Sequence, residues 1–459
     1  MISHEVDASA NVSDSYAVSR GRAWFAFAMI FLLMLSDYID RQIIVSLFPH
    51  LKEEWGLSDK QLGGLVSIIS IVVAIGSLPV AMMADRFGRV KSIVIMASVW
   101  SMATIASMFA RSYAQLFAAR AVVGLGETGY GSVGAALVNG LFPKRLHSTL
   151  LGAFFGASAL GAVLGVVLGG WIADHWGWRA AFGAVGFPGL AMALLFMFVP
   201  DYKNVVVVFA PKVRAKGPKA FCERLYTALT RGPTLLWVCL AGASQLIVVS
   251  TIWAWMPSFF NRYHGMEASQ ASRHAALIVL ACAVGALFWG WVADRVSQRA
   301  PRNKLLAMCV LTVATFAAFS SAFSIPMNTS LQYLLIIAGS FMMTSTVGVC
   351  TSTVLNIVHP GLRSTGSAVL TLFHNLLGLA IGPFVGGLIS DAWGLSNALA
   401  VIPCVGLVSA VCFWKASRTY ETDMAVVAAQ VKAEQAQAEQ ARGVTSAQGG
   451  EMSLAPIYS

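Results

Sequence analysis

The sequence predicts an all-α polytopic membrane protein, with twelve transmembrane helices in two six-helix halves. Composition, the spacing of apolar runs and an internal repeat carry that expectation. Of 459 residues, 57% are hydrophobic and only 11% charged, and mean hydropathy is +0.71. A soluble domain carries about 25% charged residues, so a chain this apolar belongs in lipid. Twelve apolar runs follow, each near the ~20 residues a helix needs to cross the hydrocarbon core. They lie at roughly 23–48, 61–83, 91–109, 113–141, 148–172, 179–199, 233–260, 270–293, 304–323, 331–357, 364–389 and 394–416.

The repeat divides these runs into two sets of six. Pro143, Gly161, Gly165, Gly169, Gly170, Asp174, Trp176 and Gly177 return 217 positions later as Pro360, Gly378, Gly382, Gly386, Gly387, Asp391, Trp393 and Gly394. Ala84-Asp85-Arg86 returns at an offset of 209 as Ala293-Asp294-Arg295. Repetition at a fixed offset marks duplicated structural units, and paired halves around a central site are a transporter architecture. The expected division is an N-terminal segment at 1–22, a first bundle at 23–200, a basic linker at 201–232, a second bundle at 233–416 and a polar tail at 417–459. Within the tail, 427–442 reads as a marginal helix and 443–459 as disordered.

Charge sets the orientation. The formal net charge is +10, from 31 Lys and Arg against 21 Asp and Glu. Seventeen basic residues fall in the loops and linker of the face that carries the termini, and six in the loops of the other. By the positive-inside rule both termini are cytoplasmic, in a bacterial inner (plasma) membrane. In this setting the excess of base anchors the chain and does not point to nucleic acid.

Several classes fall away. The seven cysteines show no CxxC or CxxH spacing, so neither a disulfide frame nor a metal site is expected. No phosphate-binding loop and no His-Glu-x-x-His constellation is present, so no catalytic residue, cofactor or ATP hydrolysis is expected. An integral membrane enzyme or a transporter-like sensor is the weaker alternative, because the tail is too short for an output domain.

The first and fourth runs hold the informative charges. Arg120 and Glu127 lie seven residues apart, about two turns along one face. A charge near the bilayer centre costs at least ~2.5–3.5 kcal/mol, so both call for a reason. The first run carries Asp37-Tyr38-Ile39-Asp40-Arg41. At ~1.5 Å per residue, Asp40 and Arg120 reach matching depths and can neutralise one another. Glu127 lies about 10 Å deeper and is expected to lack a partner. Burial without a counter-charge disfavours the ionised form of a carboxyl, the behaviour a proton carrier requires. The expected proton-coupling residues are therefore Asp40 and Glu127, with Arg120 swapping between carboxylates or holding an anionic head group. Arg41 points about 100° away from Asp40 and is expected to pair with Asp37, four residues back, or to meet substrate. The expected substrate cavity comprises Asp37, Tyr38, Arg41, Tyr130, Gln245, His374 and Asn375.

Gly124, Gly126 and Gly129, and the glycines from Gly152 to Gly170, read as close-packing positions. Trp253, Trp255, Phe259, Phe260 and Tyr263 read as an interfacial belt at the end of the seventh run.

Two loops now carry a resemblance. The stretch from Ala81 to Lys91, with Asp85-Arg86-Phe87-Gly88-Arg89, resembles the loop between helices 2 and 3 of the major facilitator superfamily. Gly290-Trp291-Val292-Ala293-Asp294-Arg295 resembles its partner between helices 8 and 9. One departure is Ala81, where the family pattern has glycine. The resemblance covers about residues 20–416 and implies the major facilitator fold, alternating access, and a conformational latch at Asp85, Arg86, Gly88, Arg89, Asp294 and Arg295. A carboxylate at Asp85 facing a helix N-terminus is stabilised by ~0.3–1 kcal/mol, which gives such a latch its physical basis.

Within the superfamily, Tyr38-Ile39-Asp40-Arg41, the stretch from Val123 to Thr128, and Gly177-Trp178-Arg179 resemble the spinster-like transporters. Leu125 and Thr128 depart mildly from the family's isoleucine and alanine. The organic anion:cation symporters carry comparable motifs. Gly165-Val166 lacks the Gly-Pro of the superfamily's antiporter motif, which weakens a drug-antiporter reading. The resemblance implies a monomeric secondary active transporter, proton-coupled through Asp40, Glu127 and Arg120, that moves an amphiphilic lipid or an organic anion. The alternatives are a proton symporter of small carboxylates, such as aromatic or sugar acids, and a multidrug or metabolite exporter.

Overall fold

A chain in hydrocarbon must satisfy its backbone polar groups internally, and every regular element among the described residues is helical. The computed structural model describes residues 16–199, 232–360 and 363–449, with the backbone alone at 78–87, 144, 148, 364 and 435–449. The expected segment at 1–22 thus lies mostly outside the described residues, as does the linker at 201–231.

The first half comprises α1 (Arg20–Ser46), α2 (Asp59–Phe87), α3 (Arg89–Met108), α4 in two pieces (Tyr113–Glu127 and Tyr130–Leu141), α5 (Lys144–Trp176) and α6 (Trp178–Leu195). A short surface helix, Phe48–Trp55, joins α1 to α2. The second half comprises α7 (Pro233–His264), α8 (Ala268–Ser297), α9 (Asn303–Ser324) and α10 in two pieces (Thr329–Met343 and Thr346–Ile357). It ends with α11 (Arg363–Phe373, a π turn at His374–Leu379, then Ile381–Trp393) and α12 (Leu395–Val401, a 3-10 turn at Ile402–Cys404, then Val405–Gly449).

Eleven of these helices are long and apolar enough to cross a membrane. The fourth falls short as one helix because it breaks at Thr128 and Gly129. Gly129 has φ +83°, a left-handed conformation that a side chain disfavours. The α10 break at Thr344 and Ser345 falls at the repeat-equivalent place, since 128 and 345 differ by 217.

The two halves pack by the same pattern shifted by six helices. α5 lies on α1, α3 on α4 and α6, and α4 on α2; correspondingly α11 lies on α7, α9 on α10 and α12, and α10 on α8. The repeated glycines make this possible. A Cβ at Gly161 or Gly165 would press on the Leu35 and Ile39 carbonyls of α1; one at Gly378 or Gly382 would press on Leu246 and the Ile247 carbonyl of α7. Small residues let the backbones approach, as close packing in lipid requires.

One correction concerns α7, which is buried along most of its length. Three of the five aromatics read as an interfacial belt are core residues: Trp255, Phe259 and Phe260 are fully buried, and the Trp255 ring meets Phe48 of the other half at 5.2 Å, whereas Tyr263 is half exposed. Their position near a helix end is interfacial, but the end lies inside the contact between halves. The start of the tail continues α12, whose helix runs to Gly449, and Tyr420 and Asp423 dock on the second half.

Among the described residues, the extensive contact between the halves lies at one end. α2 packs on α11 and α5 on α8 at the face opposite the termini. Among the described residues, the terminal-face pieces Tyr130–Leu141, Thr346–Ile357 and Arg363–Phe373 make no extensive contact across the halves. Gly131, Gly152, Gly156 and Gly348 accordingly have open space where a Cβ would stand. Among the described residues, the halves are closed together at the opposite face and parted at the terminal face.

Candidate functional site

α1 and α4 bring five ionisable side chains together. Asp37, Asp40 and Arg41 share one stretch of α1, and the 3.6-residue period sets Asp37 directly above Arg41. Arg120 and Glu127 come from the first piece of α4, with Glu127 its last residue before the break. Gly124 and Gly126 hold that piece in place, because a Cβ there would strike Ile69 of α2 or the Trp100 backbone of α3.

The first subcluster is closed. Arg120 is 0% exposed; its Nη1 donates to Asp40 Oδ1 at 3.2 Å and its Nη2 to the Asp40 carbonyl at 3.3 Å. Thr104 of α3 donates to Asp40 Oδ2 at 2.8 Å. Matching depth along two antiparallel helices predicted the Arg120–Asp40 meeting; Thr104 carried no signal beyond being a hydroxyl in an apolar run.

The second subcluster corrects the expectation for Glu127. Its carboxylate is not alone: Arg41 Nε lies 2.9 Å from Glu127 Oε2. The same Nε–H is aimed at Asp37 Oδ1, 3.4 Å away, so Glu127 sits beside the guanidinium as a charge contact rather than an aligned hydrogen bond. Side chains on a helix slant toward its N-terminus, so the long Arg41 chain reaches about a turn deeper than its own Cα. Cα counting alone therefore missed the contact. Arg41 retains 21% exposure, the most of any side chain in the cluster, and its guanidinium lies 5.5 Å from the Tyr38 ring centroid.

Other expected cavity residues lie elsewhere. Tyr130 is 0% exposed; its hydroxyl donates to the Ile30 carbonyl at 2.6 Å, and its ring meets Trp100 and Phe154. It is a core residue bracing the α4 break, not a cavity wall. Gln245 is also corrected: it is 1% exposed, donates to the Met343 carbonyl at the α10 break, and turns its oxygen toward Gly406 of α12. A broken helix leaves carbonyls needing donors, and Gln245 supplies one. His374, on the π turn, is wedged between Gly242 and Cys350, with its Nε2 buried and unpartnered among the described residues. Asn375 bonds back to the Thr371 carbonyl of its own helix.

Of the expected latch, the Asp85 and Arg86 side chains lie outside the described residues. Gly88 turns the chain with φ +88°, and Arg89 donates to the Ala136 carbonyl at 3.2 Å. Asp294 and Arg295 are exposed, with the Arg295 guanidinium over the Trp291 ring at 4.9 Å.

Comparison with known proteins follows from this fold. The chain is 29% identical over 417 residues to an MFS-type efflux pump of Mycolicibacterium smegmatis, covering 88% of this chain and 94% of that protein. It is 27% identical to a gallate transporter of Pseudomonas putida, covering 84% and 90%. It is 24% identical to protein spinster homolog 3 of Danio rerio, covering 86% and 82%. Its fold matches the crystal structure of a bacterial homolog of the human lysosomal transporter spinster, in its inward-facing, unoccupied conformation. That match has a TM-score of 0.78 and 20% identity over 88% of this chain and 99% of the other. The family model of the Major Facilitator Superfamily matches residues 30–378. With its twelve helices, repeated halves and resemblance to spinster-like proteins, the chain belongs to the major facilitator superfamily of membrane transporters.

Proposed function

We propose that the protein is a proton-coupled transporter of a small organic anion, working by alternating access, with Arg41, Asp37 and Glu127 as its coupling centre. One observation carries this reading. The buried cluster holds three carboxyls and two guanidiniums, so it bears one excess negative charge when all five are ionised. Desolvated excess charge is expensive, and a single proton on Asp37 or Glu127 removes it. Asp40, held by Arg120 and Thr104, is the fixed part; Asp37 and Glu127, sharing Arg41, are the exchangeable part.

Coupling then follows from charge. A solute carboxylate that binds Arg41 competes with Asp37 and Glu127, and the displaced carboxylate takes a further proton. Anion and proton therefore load together, and Arg120 holds Asp40 rather than moving between partners. Relatives named as transporters of gallate, 4-hydroxybenzoate and D-galactonate support a small carboxylate as the solute. Likeness to the spinster homologs supports a second reading, an amphiphile whose anionic head group would meet the same guanidinium. The terminal face is read as cytoplasmic, in a bacterial inner membrane, with the segment at 201–232 linking two bundles of one working monomer.

The test is solute flux in proteoliposomes under an imposed pH gradient, comparing aromatic and sugar acids with lysophospholipids. Accumulation of a carboxylate on the alkaline side is expected. Flux that ignores the gradient for every solute would overturn proton coupling.

A further inference from the structure

The closed face contains an arrangement that the coupling centre does not explain. Asp391, near the end of α11, accepts two backbone hydrogen bonds from the start of α2 in the other half. Its Oδ1 takes the Asp59 N–H at 2.7 Å and its Oδ2 the Lys60 N–H at 2.9 Å. Asp174, near the end of α5, does the same in the other direction: its Oδ2 takes the Ser269 N–H at the start of α8 at 2.7 Å. First-turn N–H groups lack intrahelical partners, and the helix dipole favours a carboxylate there.

These are caps in trans, each supplied by the opposite half. At α2, Ser58 caps Gln61 from within the same chain turn and leaves the two earlier N–H groups to Asp391. At α8, Glu267 provides no side-chain cap, and Asp174 takes its place. The two arms are copies of one device: Asp174 and Asp391 differ by 217 positions, and Ser269 and Lys60 by 209. The repeated glycines complete each arm. A Cβ at Gly387 would strike the Asp59 carbonyl, and one at Gly170 would strike the Ser272 side chain and the Ala268 carbonyl.

The arms are unequal. Asp59 is itself buried, and Arg262 of α7 grips it bidentately at 2.6 and 2.7 Å. Lys52 adds a bond at 2.7 Å, and Ser390 donates to the same carboxylate. The equivalent position at α8 is Ala268, without charge; among the described residues the ionic partner of that arm is His50, beside Asp174 at 3.3 Å.

We propose that Asp391 and Asp174 are a pair of trans helix caps, encoded by the internal repeat, that lock the face opposite the termini. The Asp391–Asp59–Arg262 arm is the principal lock, and its rupture is the step that opens that face. The halves must part there in the other state of an alternating-access cycle, and these are the polar bonds that bridge them. The Arg41 centre plays no part in this device, so the two can fail separately.

The test is a distance measurement by pulsed electron paramagnetic resonance. Spin labels go at Arg111→Cys and Ser330→Cys, one on each half at the closed face, in a background whose native cysteines are replaced and which retains flux. Wild type is expected to show the short distance. Asp391→Asn keeps one acceptor oxygen but loses the second, together with the negative charge at the start of α2, and is expected to raise the ratio of long to short distance by roughly fivefold. Asp174→Asn is expected to act in the same direction but less strongly. Arg262→Gln, which leaves Asp391 intact, guards against a variant that merely fails to fold, and is expected to match Asp391→Asn. An unchanged distance distribution in both Asp391→Asn and Arg262→Gln would overturn the proposal, as would an effect of Asp174→Asn exceeding that of Asp391→Asn.

Discussion

Arg120 and Arg41 are both arginines in an apolar bundle, yet their surroundings assign them different work. Arg120 is sealed, and its partner Asp40 has a second donor in Thr104. Removing one member of a buried pair strands the other, at a cost of about 3–5 kcal/mol, whereas losing one hydroxyl that donates to a carboxylate still held by its guanidinium costs about 1.5–3 kcal/mol. Arg120→Gln is therefore expected to lower the Tm in detergent far more than Thr104→Val. Adding Asp40→Asn should recover part of the loss, because the two residues share one interaction. Equal effects of Arg120→Gln and Thr104→Val would contradict a structural pair. Arg41 keeps 21% exposure and contacts two acids, so under the proposed coupling its replacement should change flux before it changes stability. Arg120 and Asp40 were legible from depth counting because their Cα atoms lie level. Arg41 and Glu127 were not, because that contact depends on the reach and slant of one long side chain.

Breaks and extensions decide the chemistry at the level of helices. α4 ends its first piece at Glu127, and α10 breaks at the repeat-equivalent place, where Gln245 feeds the freed Met343 carbonyl. Hydropathy reads each of these spans as one helix, since Thr-Gly and Thr-Ser pairs interrupt the backbone without interrupting apolarity. The extension of α12 is likewise invisible to hydropathy. Its Asp423 caps α7 through the Thr234 N–H at 3.1 Å, Thr419 bonds Thr234, and Tyr420 meets Asn356 and lies 5.0 Å from Lys304 Nζ. Asp423→Ala is expected to destabilise by ~0.5–2 kcal/mol, the worth of an N-cap. Truncation after Arg418 is expected to cost more while leaving the coupling ratio unchanged, since none of these residues touches the first half. A truncation that uncouples protons from flux would show that the tail does more than brace the second half.

Across the whole molecule, one duplicated pattern serves two ends. The repeat visible at an offset of 217 announced six helices packed twice, and its glycines do seat α5 on α1 and α11 on α7. Its acids could not be interpreted from one dimension, because Asp174 and Asp391 act on backbone from the opposite half. What the halves do not share is the cluster of charge: Asp37, Asp40, Arg41, Arg120 and Glu127 all stand in the first half, so the proposed coupling centre is one-sided. Solute bound there would be released as the closed face and the parted face exchange. The central claim is that excess negative charge at Asp37 and Glu127 binds the coupled proton. It is tested most directly by Glu127→Gln in proteoliposomes, comparing gradient-driven uptake with exchange at equal pH. The account predicts at least tenfold loss of gradient-driven accumulation with solute exchange retained, because the amide mimics the protonated state. Accumulation undiminished by Glu127→Gln would contradict it.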